Sequence, residues 1–84
     1  SPVNLELRLF PNPVQDQLSI RLMNTVEGAT NLQLLNLNGQ LIQQYSFSGA
    51  FQQSTLDLSA LPTGTYFLRA FNGAEVVTER FVKQ

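Results

Sequence analysis

The stretch Leu61-Pro62-Thr63-Gly64-Thr65-Tyr66-Phe67-Leu68-Arg69-Ala70-Phe71-Asn72-Gly73 holds a turn, a strand and a second turn. Proline in second place and glycine in fourth fit a type I turn over 61–64, because Pro62 presets its φ at about −65°. From Thr65 onward, Tyr66, Leu68 and Ala70 alternate with Phe67, Arg69 and Phe71. A period of two sends alternate side chains to opposite faces of a strand. Asn72-Gly73 is then a hairpin signal leading into a further strand over 74–83.

The same alternation extends upstream. Leu5, Leu7 and Leu9 alternate with Asn4, Glu6 and Arg8, and Leu18, Ile20 and Leu22 with Gln17, Ser19 and Arg21. Leu32 and Leu34 start a third strand, and Leu35 and Leu37 continue it on the other face. That switch fits either a bulge or a strand covered on both sides. Asn38-Gly39 predicts a two-residue type I′ hairpin, since both tolerate positive φ. The returning strand, 41–47, places Leu41, Tyr45 and Phe47 on one face. Ser48-Gly49 is the next turn and 51–58 the next strand. About seven short strands, with turns about every 8–12 residues, make the pattern of an all-β antiparallel β-sandwich. Helical spacing is sustained nowhere, and there is no linker, repeat or low-complexity segment.

Composition narrows the function. Eighty-four residues with 43% apolar content suit one small domain, 1–84, with a single core. Charged residues are only 13% and the net charge is −1, which gives no reason to expect nucleic acid or an anionic membrane. Arg8, Arg21, Arg69, Arg80 and Lys83 are too spread to form one patch. No apolar run approaches the roughly 20 residues of a membrane helix. No secretory signal opens the chain, so an exported protein would carry one upstream. The chain has no His and no Cys, and its acids Glu6, Asp16, Glu27, Asp57, Glu75 and Glu79 are scattered. Nothing activates a Ser or Thr, and no metal-loop spacing occurs, so the reading is a non-enzyme with no cofactor. Gly28, Gly39, Gly49, Gly64 and Gly73 all fall at turns, which removes a phosphate loop. Tyr45, Phe47, Phe51, Phe67, Phe71 and Phe81 read as core and second sheet face, not as a sugar platform.

Two segments are unusually definite. In Leu9-Phe10-Pro11-Asn12-Pro13-Val14, both prolines lack a donor and Asn12 is pushed to extended backbone, so the step is a stiff break that reads as a bend between two sheets, as a surface for direct recognition, or as both. In Leu56-Asp57-Leu58-Ser59-Ala60-Leu61, the Asp57 and Ser59 side chains can order the corner while Leu58 and Leu61 anchor it. Tyr66 packs its ring inside and seeks a backbone acceptor for its hydroxyl, as corner tyrosines do. Leu61-Pro62-Thr63-Gly64 lacks the intervening residue of a Gram-positive cell-wall sorting signal and is followed by a strand, so that reading is rejected.

These motifs, with Leu35-Asn36-Leu37-Asn38-Gly39-Gln40-Leu41-Ile42 and the ending Arg80-Phe81-Val82-Lys83, resemble the C-terminal sorting domain of the type IX secretion system of Bacteroidota. The resemblance implies an Ig-like sandwich that acts as an address label behind an upstream cargo. It implies partners in the outer-membrane secretion machinery and a sortase-like cysteine protease that removes the domain at the surface. It implies a route through the periplasm to the cell surface or medium, with cargo commonly attached to anionic lipopolysaccharide. The family's motif positions fall on Pro11, Pro13, Gly64, Tyr66, Arg80, Val82 and Lys83. Recognition is placed at the tail, as a terminal edge strand that a partner can pair with. The plainer reading has Phe81 and Val82 closing the core and Lys83 guarding the edge. Ser1-Pro2 offers no clear cleavage site. The competing functions are a passive Ig-like spacer and a carbohydrate-binding module. Deletion of 80–84 is expected to abolish export and leave the domain folded.

Overall fold

Period-two alternation becomes seven antiparallel strands in a computed structural model that describes residues 5–11, 13–23, 29–47, 53–73 and 75–84. They are β1 (Glu6–Phe10), β2 (Gln17–Met23), β3 (Thr30–Asn36), β4 (Leu41–Phe47), β5 (Gln53–Asp57), β6 (Gly64–Asn72) and β7 (Glu75–Lys83). One sheet has the order β1-β2-β5 and the other β4-β3-β6-β7. The chain crosses between sheets after β2, β4 and β5, as an Ig-like sandwich requires. Expectations for Asn4, Asn12, Glu27, Gly28, Ser48, Gly49, Phe51 and Ala74, and for Ser1-Pro2, lie outside the described residues.

The core is what alternation selects. Leu7, Leu18, Ile20 and Leu22 from one sheet meet Leu32, Leu34, Leu68 and Phe81 from the other, all nearly or fully buried. Each such side chain contributes roughly 1.5–3 kcal/mol by leaving water. Tyr45 and Phe47 pack against this cluster from β4.

The switch at Leu34–Leu35 resolves into both readings at once. β3 runs in unbroken register with β6, so Leu35 points away from the inter-sheet core, yet it is only 6% exposed. Opposite it, β4 carries an irregularity: Leu34 pairs with Gln43 and Leu35 with Leu41. The extra residue inverts the parity of β4. Leu41 therefore stands on the outer face, 53% exposed, and not with Tyr45 and Phe47 as alternation predicts.

Both hairpins shift from their predicted places. Gly39 N donates to Asn36 O at 2.9 Å and Asn36 N to Gln40 O at 3.0 Å, which makes a three-residue loop and not a type I′ pair. Gly39 takes the left-handed position, φ 82°. The Asn36 side chain shapes this loop. Its Oδ1 accepts from Asn38 N and Gln40 N, each at 2.9 Å, and its Nδ2 donates to Gln40 Oε1 at 2.9 Å. Asn72, predicted as a turn residue, ends β6 opposite Glu75 and is buried. Its Nδ2 donates to Thr30 Oγ1 at 3.0 Å, satisfying two polar groups inside the sandwich. The turn follows at Gly73, φ 65°.

Asn36→Ala removes both acceptor bonds and should lower unfolding free energy by about 1–2 kcal/mol. Asn36→Asp retains the acceptors and should lose less. Urea denaturation of the three proteins checks the order.

Candidate recognition surface

The two prolines turn the chain out of β1, with the Phe10–Pro11 peptide cis, and carry it to the other sheet. There Val14, fully buried, forms a parallel bridge with Lys83 at the end of β7. Val14 N donates to Val82 O at 2.8 Å, and Gln84 N donates to Val14 O at 2.7 Å. The chain then returns to β2 in the sheet it left, so the proline segment does not join strands of two sheets, contrary to the sequence-based expectation, but makes an excursion to the edge of the other sheet. Asp16 O accepts from Leu58 N at 2.7 Å, tying the same segment to the corner before β6.

That corner is closed one turn earlier than predicted. Leu61 N donates to Leu58 O at 3.0 Å, so the hydrogen-bonded turn spans 58–61 and not 61–64. Ser59 N donates to Asp57 Oδ1 at 3.0 Å. This bond, with a further one from the Ser59 side chain, holds the Asp57 carboxyl below the usual aspartate range. Leu58 is buried and Leu61 packs against the core, as anchors should. The Tyr66 hydroxyl donates to Pro62 O at 2.6 Å. Its ring stacks on Phe81, with centroids 5.8 Å apart and planes 24° from parallel.

Register does the rest. Gly64 pairs with Lys83, Thr65 with Val82, Tyr66 with Phe81 and Phe67 with Arg80. Three motifs far apart in sequence thus meet at one pole of the sandwich: the proline segment, the corner with the start of β6, and the tail. Pro11, Pro13, Arg80 and Val82 are exposed there. Gly64 has φ 157°, where a side chain is strained by the backbone, although a Cβ would meet only Tyr66 Cε2 at 4.0 Å. Lys83 is not an exposed guard of the edge: it is 6% exposed, on the Phe81 side of β7, and its Nζ donates to Gln84 O at 3.1 Å. Phe81 is fully buried, so deletion of 80–84 removes core and clamp together. A folded truncation is therefore not expected, contrary to the sequence-based reading. Upstream of Val14, β1 and β7 part to leave an open groove lined by Leu7, Leu9, Phe10, Val77 and Glu79. Among described aromatics only Phe10 is exposed, and Phe67 and Phe71 are half-buried on the outer face of β6.

A family description, the secretion system C-terminal sorting domain, matches residues 8–84, through all three motifs. The chain belongs to this family. It is a type IX secretion sorting domain, a family of signals and not of enzymes. No curated protein matches the chain. As a sorting domain it marks an upstream cargo for the type IX machinery and for export across the outer membrane to the surface or beyond. Among the described residues no helix is long and apolar enough to cross a membrane. Val14 and Asn36 are the residues that sequence reasoning left without a role. Val14 is a lone apolar residue after a proline, and no periodicity marks it.

Tyr66→Phe should lower stability by about 1 kcal/mol, since Pro62 O loses its partner; thermal melting reads it. Asp57 titrates lower in the folded than the unfolded chain. Its contribution is complete above the unfolded aspartate value of about 3.9 and fades as pH falls through the lower folded value. The Ser59 amide chemical shift, followed by NMR, should report a midpoint below that of a model peptide.

Proposed function

We propose that the secretion machinery reads the exposed Arg80 and Val82 side chains at the motif pole, next to the Pro11 and Pro13 bend. Gly64, Tyr66 and Lys83 position that end of β7. The observation behind this reading is the Val14 clamp: Val82 O and Gln84 N are already engaged by Val14, which leaves side chains, more than an open backbone edge, for a partner to read at the last residues. Residues 1–84 act as one unit, supported by a single cluster that draws side chains from both sheets. The cargo passes through the periplasm before the domain is recognised. A sortase-like cysteine protease at the surface then cuts upstream of β1, and the cargo is attached to anionic lipopolysaccharide or released.

The test is export of a periplasm-targeted fluorescent protein carrying residues 1–84, in a bacterium with this system. Wild-type fusion should reach the surface or medium and be retained when the translocon is deleted. Arg80→Ala with Val82→Ser should keep the melting temperature within a few degrees and reduce export about tenfold or more, as loss of central interface contacts does. Retention of a folded wild-type fusion in the periplasm would favour the spacer reading.

A further inference from the structure

The exposed face of an antiparallel sheet is ordinarily polar. The outer face of the four-stranded sheet is not, at one end. A ladder row crosses it as Leu41, Leu35, Phe67 and Arg80. Leu35 is 6% exposed although it lies outside the inter-sheet cluster, so neighbours on this outer face cover it. Within the row Leu41 is 53% exposed; Val82, on the next outward row, is 37% exposed, and Leu37, in the turn that follows β3, 67%. Contiguous apolar exposure of this kind marks an interaction site more often than isolated surface leucines do. The patch sits at the pole where the three motifs meet, because Asn36 pairs with Tyr66 and Thr65 with Val82.

Charge on this face has one sign. Its described charged positions are Arg69 and Arg80, on alternate rows. Glu75 and Glu79 alternate to the other side of β7, paired with Asn72 and Leu68. The outer face of the three-stranded sheet, by contrast, mixes Glu6, Arg8, Arg21 and Asp57. Aromatic residues and arginine with no Lys, Glu or Asp is the composition of a protein interface core. An anionic bilayer is a poorer fit, since two arginines fall short of the roughly 4–8 basic residues of lipid-binding clusters. A second copy of the same face would set arginine against arginine.

We infer that this face, from the β3–β4 hairpin to Val82, docks on a protein of the outer-membrane secretion machinery through an apolar surface whose carboxylates meet Arg69 and Arg80. The inference rests on the sorting reading above and extends the contact from the tail to a hairpin on the far side of the sheet. Position 41 tests it, in the same export assay. Leu41→Glu adds a carboxylate facing an acidic partner, and Leu41→Lys adds a cation of similar reach. Both should melt within a few degrees of wild type, because the site is exposed. Leu41→Glu should reduce export about tenfold or more, and Leu41→Lys should retain most of it. A photo-crosslinking residue at 41 should label an outer-membrane protein, and the product should vanish with the translocon. Leu37→Glu, in the turn, carries the test if Leu41→Glu fails to fold. Wild-type export from Leu41→Glu, equal loss in the Glu and Lys variants, or labelling of lipid or a second copy would overturn the inference. Failure of the wild-type fusion itself would overturn the sorting reading, and shows before any variant is made.

Discussion

Two main-chain hydrogen bonds, from Val14 N to Val82 O and from Gln84 N to Val14 O, hold the motif pole together. A sandwich of two sheets is joined mainly by side-chain packing, and its edges splay where packing thins. Here one buried residue, delivered by a proline bend from the edge of one sheet, adds to the edge of the other. Each proline lacks a donor and so could not itself occupy the Val14 position with both bonds. Their exposure and the burial of Val14 follow from that division of labour.

The clamp and the tyrosine corner are complementary. The Val14 bridge fixes the backbone of the tail from outside the sheet. Tyr66 fixes it from inside, stacked on Phe81 and tethered to Pro62 through its hydroxyl. Between them the end of the last strand is held by main-chain and side-chain contacts, and Arg80 and Val82 lie exposed on it. On the reading proposed above, a strand end held in this way loses less conformational entropy on binding than a loose tail would. Core and display are therefore inseparable in the tail: Phe81 and Lys83 face in, Arg80 and Val82 face out.

The strands were legible because alternation is a direct consequence of burying one face, and it holds in β2, β3 and β6 almost without exception. The tyrosine bond and the Asp57–Ser59 contact were also legible, since each is local in sequence. What sequence hid was set by register. Leu41 changes face because of an extra residue in β4, and no single residue there announces a bulge. Asn72 reads as turn chemistry next to glycine, but its partner Thr30 lies far away in sequence and draws it into the sheet. The Asn38-Gly39 turn moved because Asn36 offers its side chain to two amides, a competition that dipeptide preferences omit. At the candidate recognition surface the motif residues were visible one by one. Their meeting was not, because it depends on Val14.

The first and last strands, at the edges of opposite sheets, run in the same direction. Phe10 and Lys83 lie towards the pole where the motifs gather, while Glu6 and Glu75 lie towards the other. At about 3.3 Å per residue, nine residues of β7 separate these poles by roughly 30 Å. The domain is therefore a handle with two ends. The pole where the motifs gather stands a strand's length from the end at which β1 starts. On the reading proposed above, a carrier bound at the motif pole stands clear of the end from which β1 starts.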